Sequence, residues 1–435
     1  MALRYVDGAV GSSGNGQSWA TAWKALSNIA GLAAGDICYI SGAAGGTTYS
    51  ATGWSIAGSG NAANPIIYRV GQDSGHNGPA TINLSQGITP SVGVDYTGIY
   101  LDGNYNGSRQ INLNAPIGNA GTHGIKGLRL SYLNMTEPVE CTDFYNFECD
   151  HNRVDLVRNR DHFFSRGNGS AGASSYLTNL IHHNTLYLYC DPSNGFGDDG
   201  FMWIQHCSLY NNAFITNWLA GTYTNHQDYV QSDRPYVAIF NNYFQGCGNY
   251  PIYGDFFGSG AHWRIYNNVS RGKTTGGLPL QHIALGFENT SGSTLDDVII
   301  ANNTIYDPAN NLAISLGGGY SGNKVTNSYV VNNLCYNTDI QIVQGSGGSV
   351  TSVNNYEGTS NISFKNTGES PAGDFRLNLP SSNAIDKGIS PAYLTSIFTT
   401  DADGYTRTGT WDIGAYEYGA GGATPPAGIL TLAIQ

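Results

Sequence analysis

Apolar and polar positions alternate along most of this chain in short runs broken by glycine and asparagine, as in Ile66-Ile-Tyr-Arg-Val and Gly98-Ile-Tyr-Leu-Asp. The residues filling the apolar positions are β-branched or aromatic, so the alternation predicts short half-buried strands and no helical repeat. One phrase keeps returning: Ile181-His-His-Asn-Thr, Leu209-Tyr-Asn-Asn-Ala, Ile239-Phe-Asn-Asn-Tyr, Ile265-Tyr-Asn-Asn-Val, Ile300-Ala-Asn-Asn-Thr and Val330-Val-Asn-Asn-Leu. With Asn184, Asn212, Asn242, Asn268, Asn303 and Asn333 as markers the intervals are 28, 30, 26, 35 and 30 residues, the period of a solenoid coil. Asn152 lies 32 residues before Asn184 and extends the series. A coil of this length with three short strands supplies the long connections that parallel pairing needs. Successive coils then stack about 4.8 Å apart. Asparagine suits the bends, because it tolerates left-handed backbone and bonds to neighbouring amides, and stacked asparagines bond to one another. These asparagines are therefore read as structural.

The expected fold is all-β, a single-stranded right-handed parallel β-helix with an N-terminal capping helix and an irregular C-terminal cap. Residues 1–40 form the N-terminal cap and first strands. There Ser18 caps a helix that puts Trp19, Trp23, Leu26 and Ile29 on one face over the open end of the stack. The β-helix runs over 41–358, the C-terminal cap region over 359–418, and a Gly/Pro linker with an apolar tail over 419–435. The tail, Ile429 to Gln435, alternates apolar and polar residues and has nothing after it in the chain to pair with.

Composition narrows the partners. Only 11% of the 435 residues are charged, with 19 Lys and Arg against 31 Asp and Glu and a net charge of −12. Without a basic cluster nucleic acid is excluded as a partner, and cations or neutral glycans are expected instead. No stretch approaches eighteen apolar residues, so no membrane span is expected. Seven cysteines at no metal-ligand spacing read as small reduced core residues. Met1-Ala-Leu-Arg leads straight into Tyr5-Val-Asp with no signal peptide, so the expected setting is extracellular or a virion, reached either with a leader that has been removed or by another route, for example as part of a virus particle.

The repeats resemble those of the right-handed parallel β-helix, the pectin-lyase-like superfamily. The ends, Tyr5-Val-Asp with Ser18 to Trp23, then Asn383-Ala-Ile-Asp-Lys-Gly and Asp412-Ile-Gly-Ala-Tyr-Glu, resemble bacterial proteins of the choice-of-anchor Q type. The chain departs from that pattern in lacking a leader and a sorting signal, which brings in a bacteriophage tailspike or decoration protein as another user of the fold. The resemblance implies polysaccharide as the substrate class and a homotrimer as the assembly. It does not decide the reaction.

Used as a ruler, the asparagine series brings carboxylates together. Asp199 lies 13 residues before Asn212, Asp228 lies 14 before Asn242 and Asp255 lies 13 before Asn268, which predicts three aspartates at one height on one face, with Asp198 and Asp233 close by. Stacked carboxylates about 5 Å apart cannot all ionise freely, so one serves as a general acid or the group holds a cation such as Ca²⁺. Around them stand His226, Gln231, Trp203, Trp218, Tyr229 and Trp263, polar groups and flat rings that suit sugars. Two readings follow. In the first the chain is a glycoside hydrolase with Asp199 and Asp228 as acid and base, assisted by Asp198 or Asp255. A polysaccharide lyase, using Arg234, Arg271 or Lys273 as base, is its variant. In the second it is a non-catalytic spike or decoration rod whose tail from Ile429 docks on a neighbouring subunit or on other virion or surface proteins. His182-His183 reads as part of a coil bend, and Asp401-Ala-Asp-Gly as a turn, since no bidentate Glu follows at calcium-loop spacing.

Overall fold

The computed structural model describes residues 1–419 except 57, 91–95, 119–123, 142, 156–161, 167–178, 191–198, 203, 219–226, 274–278, 288–289, 310, 319–320 and 369–372. The chain divides into two units, residues 1–174 with 178–187 and residues 188–435 with 175–177. Among the described residues each is a parallel β-helix whose coils contribute strands to three main sheets, with almost no helix, and in the second unit Gly260–Ala261, Thr294–Asp296 and Lys324–Thr326 pair as a further small sheet.

In the first unit the first sheet runs through Leu3–Val6, Ile37–Ile40, Ile66–Val70, Tyr96–Asp102, Gly124–Ser131, Glu148–Asp150 and Asn179–His182, all parallel. The second follows through Thr47–Ala51, Ala80–Leu84, Ile111–Asn114, Leu133–Met135 and Arg153–Asp155 to the residues that open Thr185–Cys190. The third begins with Trp54–Ile56 and Ile88–Pro90 and includes Val139–Cys141 and His162–Arg166. In the second unit the first sheet comprises Cys207–Tyr210, Val237–Phe240, Trp263–Tyr266, Ile299–Ala301, Ser328–Val331 and Val350–Val353. Its third sheet comprises Asp199–Met202, Asp228–Gln231, Tyr250–Phe256, Gln281–Phe287, Leu312–Gly317 and Asp339–Val343. Leu209, Ile239, Ile265, Ile300 and Val330 stack in register and are fully buried. Each such side chain contributes roughly 1.5–3 kcal/mol by leaving water.

The repeated Asn-Asn phrase divides its labour. The second asparagine is buried and bonds to the next coil: Asn268 donates from its backbone N–H and from Nδ2 to Asn303 Oδ1, both at 3.0 Å. The first, at Asn241, Asn267, Asn302, Asn332 and Asn354, holds φ between 51° and 55°, the left-handed corner that asparagine tolerates. His151 and His183 hold the same corner in the first unit at 56° and 57°.

Both ends differ from expectation. The N-terminal helix is replaced by two 3₁₀ turns, Trp19–Thr21 and Leu26–Asn28. Ser18 does cap, accepting the Thr21 N–H, but Trp23 is taken into the sheet: its N–H donates to Tyr5 O at 2.9 Å and its carbonyl accepts from Asp7 N–H at 2.8 Å, which ends helical winding. The C-terminal segment lies along the flank of the second unit, not across its last coil, where Ile340, Ile342, Val350 and Val353 stay half-buried. Leu394, Phe398 and Trp411 pack on Tyr266, Ile299, Ala301 and Val331. The corner asparagines serve as the rail: Asn267, Asn302, Asn332 and Asn354 donate to the carbonyls of Thr400, Asp412, Ile389 and Lys387. Gly414 at φ +103° lets the segment press against Thr304, whose Oγ1 would lie 2.7 Å from a Cβ there. Arg407 is buried beneath it, 3.1 Å from Glu417 and donating to Asn267 Oδ1. Asp401 accepts the N–H groups of Asp403, Tyr405 and Glu417, so Asp401-Ala-Asp-Gly is a turn. Cys38, Cys149, Cys207, Cys247 and Cys335 are buried and free; the side chains of Cys141 and Cys190 and the whole 429–435 tail lie outside the described residues. Among the described residues no helix is long and apolar enough to cross a membrane.

Candidate functional site

The third sheet of the second unit carries the aspartates that the spacing singles out. Phe201 stands opposite Val230 and Met202 opposite Gln231, an offset of 29, so Asp199 and Asp228 open their strands at one level. Asp255 does not join them. Asp228 stands opposite Tyr250, and Gln231 opposite Tyr253, an offset of 22 that brings Asp255 level with Asp233. Ser232 N–H donates to Tyr253 O at 3.0 Å, carrying the pairing past the strand end to that level. The ruler fails because the corner between third and first sheets varies. Gln231 to Val237 is six residues, whereas the equivalent Tyr253 to Trp263 is ten. The three-aspartate line is thus corrected to two levels, Asp199 with Asp228 and Asp233 with Asp255.

Burial removes further members of the predicted site. Asp228 is fully buried, and its Oδ1 accepts the Tyr250 N–H at 3.0 Å, which leaves a polymer no access to the carboxyl. Tyr229 is a core residue whose hydroxyl bonds to Thr216 at 2.5 Å and to Gln245 O at 2.8 Å. Trp263 is also core, its Nε1 donating to Arg234 O at 2.8 Å. Neither ring can stack on a sugar. Asp198, Trp203 and His226 lie outside the described residues, as do the side chains of Asp199 and Trp218.

Past the level of Asp228 a smaller group converges, in which Asp233 is half-buried and Asp255 and Gln231 are 4% and 8% exposed. Gln231 Nε2 donates to Asp255 Oδ2 at 3.0 Å. One coil earlier Asp233 lies 2.9 Å from Arg234 Nε. Tyr250 and Tyr253, half-buried, stack at 4.6 Å beside them. Burial and the Asp228 carboxylate push the Tyr250 phenol above its ordinary range. Asp233 was legible only as a neighbour in sequence; its pairing with Asp255 depends on the corner lengths. Deeper in the unit, Ser270 Oγ meets His282 Nδ1 at 2.7 Å and His282 Nε2 lies 3.4 Å from Asp307. All three are buried, so this Ser-His-Asp set has no route to a substrate and serves the core.

The first unit holds a second polar group. Leu101, Leu130, Cys149 and Ile181 point inward, and on the opposite face Asp102, Ser131, Asp150 and His182 stand in register on successive coils. Asp150, 1% exposed, accepts Ser131 Oγ at 2.7 Å, Arg129 Nε at 3.0 Å and His151 Nδ1 at 2.8 Å. Burial opposes its ionisation, but the bonds from His151, Arg129 and Ser131 and the guanidinium charge outweigh it and hold the carboxyl well below the usual range. Glu148, Asp150 and His182 bring ligand atoms within 4.8 Å of one another. Ca²⁺ does not fit there, because Arg129 already stands 3.0 Å from Asp150 and 3.4 Å from Glu148 and supplies the positive charge.

A folded-state pKa below the unfolded one gives stability present above the ordinary carboxylate range and lost as pH falls through it and below. Asp150→Asn is therefore expected to cost about 2 kcal/mol or more near neutrality. The difference from wild type should shrink as pH drops below about 4. Urea titrations across that range check both the sign and the window.

No known protein family matches the chain, and no curated protein does. Solved structures similar to it include two lyases: one is the pectate lyase Pel9A, with TM-score 0.45 and 16% identity over 96% of this chain and 96% of that one. The other is a mannuronic acid specific polysaccharide family 6 lyase from human gut microbiota, with TM-score 0.46 and 15% identity over 78% of this chain and 85% of that one. At these values the two say nothing about the chemistry of this chain.

Proposed function

We propose that the chain binds and cleaves a polysaccharide as a glycoside hydrolase, at the third sheet of the second unit between Asp233 and Asp255. The observation that carries this reading is the bond from Gln231 on one coil to Asp255 on the next, which continues the strand offset so that Asp233, beside the Arg234 guanidinium, falls level with Asp255 next to the stacked Tyr250 and Tyr253. Consecutive coils lie about 4.8 Å apart. That is close to the roughly 5–5.5 Å between the two carboxyls of retaining glycosidases and too short for the water that an inverting pair needs.

The roles follow from the surroundings. Asp255, fixed by Gln231, gives its proton to the glycosidic oxygen. Asp233 attacks the anomeric carbon as the leaving sugar departs, forming a glycosyl ester. Asp255 then takes a proton from water, which opens the ester and restores Asp233. Tyr250 and Tyr253 offer a flat edge against which a pyranose can lie.

A panel of soluble neutral and acidic polysaccharides should yield new reducing ends from at least one member, with no ultraviolet absorbance from an unsaturated product. Proton NMR at early times should show the first-formed anomer with the configuration of the substrate. An unsaturated product would mean elimination, inversion would remove the paired-carboxylate mechanism, and binding without cleavage would leave a non-catalytic rod.

A further inference from the structure

We infer that the C-terminal segment carries a binding site for a neutral saccharide, separate from the carboxylate pair of the third sheet. A cleft of about 570 Å³ opens between the hairpin of Phe364–Asn366 with Asp374–Leu377, the turn at 401–405 and the stretch that ends at Gly419. That volume lies in the range of roughly 300–1,000 Å³ that small-molecule sites occupy. The walls are tied to each other. Arg376, on the hairpin, donates to both oxygens of Asp403, on the turn, at 2.6 and 2.9 Å. Asp401 holds the turn to the last stretch by accepting the Glu417 N–H at 3.0 Å. The cleft is thus shaped before a ligand arrives, which lowers the ordering cost of binding.

Several groups lining the cleft keep unused bonding capacity, Glu417 above all. Its side chain is only 8% exposed, and Oε2 takes both bonds that the chain provides, from Arg407 Nη1 at 3.1 Å and from the Asp412 N–H at 3.2 Å. Oε1 has no partner among the described residues and is not sealed from solvent. Burial, with the charges of Asp412 and Asp401 nearby, pushes the Glu417 carboxyl above its ordinary range, as expected of a carboxylate that the chain only half satisfies. Lys365 is exposed, and its ammonium meets no partner among the described residues. Asn378 donates from Nδ2 to Phe364 O at 3.4 Å, while its Oδ1 stays open. The Tyr418 side chain is 41% exposed beside them.

The fixed charges choose the ligand. An anion would meet Asp401, Asp403 and Glu417, and a cation would meet Lys365 and Arg376. Sugar hydroxyls carry no charge and both donate and accept, so one donates to Glu417 Oε1 or Asn378 Oδ1 while another accepts from Lys365 Nζ. The Tyr418 ring offers a flat face on which a pyranose can lie. A metal ion does not fit, since among the described residues the one set of three ligand groups that converges is Glu148, Asp150 and His182 in the first unit.

The test uses the full chain carrying Asp233→Asn and Asp255→Asn, so that cleavage does not consume the probe, with circular dichroism as the check on folding. Titration calorimetry against neutral tetrasaccharides of glucose, mannose, galactose and xylose should show saturable binding of at least one. Tyr418→Ala and Lys365→Ala, both at exposed positions, should each weaken that binding about tenfold. Glu417→Gln, which exchanges a charged acceptor for an amide, should do the same, and the two exposed positions keep the test valid if that variant unfolds. Lys387→Ala, an exposed lysine of the same segment outside the cleft, should leave binding unchanged. Absence of saturable binding to every neutral probe, binding untouched by Tyr418→Ala and Lys365→Ala, or tighter binding of tetragalacturonate at the same residues would overturn the assignment. Reducing-end release by the wild-type chain reports on Asp233 and Asp255, so this result and that one fail independently.

Discussion

Asn303→Ala is expected to cost about 4 kcal/mol, since each buried hydrogen-bonding group left without its partner costs roughly 1–3 kcal/mol. Asn303 Oδ1 receives both the backbone N–H and the Nδ2 of Asn268, and its own Nδ2 donates to Asn333 Oδ1 at 2.9 Å and Ile265 O at 3.1 Å. Truncation takes the acceptor from the Asn268 backbone N–H and the donor from Ile265 O, and leaves Asn268 Nδ2 with Ile239 O alone, at a position only 1% exposed. The backbone gives no competing explanation: it is Asn302, at φ 51°, that occupies the left-handed corner, so alanine at 303 meets no strain. Asn134→Ala, which removes a half-buried bond to Asn112 Oδ1, serves as comparison and should cost under about 1 kcal/mol. Denaturant midpoints of the two variants check this. Equal shifts would mean that the ladder adds no more than an ordinary surface bond.

The ladder was legible because both of its requirements act locally. A strand that buries one face must alternate, and a corner that turns left-handed takes asparagine, so the repeat appears in one dimension. Levels across coils were less legible. The ruler placed Asp199 with Asp228 because the Met202 to Cys207 and Gln231 to Val237 corners differ by one residue, and misplaced Asp255 because the next corner is four residues longer. Insertions at a solenoid corner leave the strands undisturbed, and no pattern in the strands reports them. Tyr229 and Trp263 misled for a related reason: aromatic rings fill a solenoid core as readily as they line its surface, and only the partners of their polar tips, Gln245 O and Arg234 O, tell which. The N-terminal helix failed because Ser18 to Ile29 has helical spacing but Trp23 is claimed by Tyr5 and Asp7. For the histidine corner the signal was present. Asp150-His151-Asn152 and His182-His183-Asn184 share one ladder position, which sets Glu148 and Asp150 beside His182 once the coils are aligned.

The reading of Asp233 and Asp255 leads to the second large effect. Asn at 255 keeps an oxygen for the Gln231 amide but cannot deliver a proton, and Asn at 233 cannot attack the anomeric carbon. Loss of a positioned acid or base typically removes 10²–10⁴-fold in rate, and loss of a nucleophile at least as much. Asp255→Asn and Asp233→Asn are therefore expected to lower turnover by about 10³-fold with thermal midpoints near wild type. Asp228→Asn behaves differently: it alters a buried acceptor of the Tyr250 N–H and should act mainly on stability.

The most direct measurement is reducing-end release from a polysaccharide that the wild-type chain cleaves, made side by side on wild type, Asp233→Asn, Asp255→Asn and Asp199→Asn at equal folded concentration. The account predicts that Asp233→Asn and Asp255→Asn both fall by about 10³-fold. Wild-type rates in these two, with the loss confined to Asp199→Asn, would contradict it.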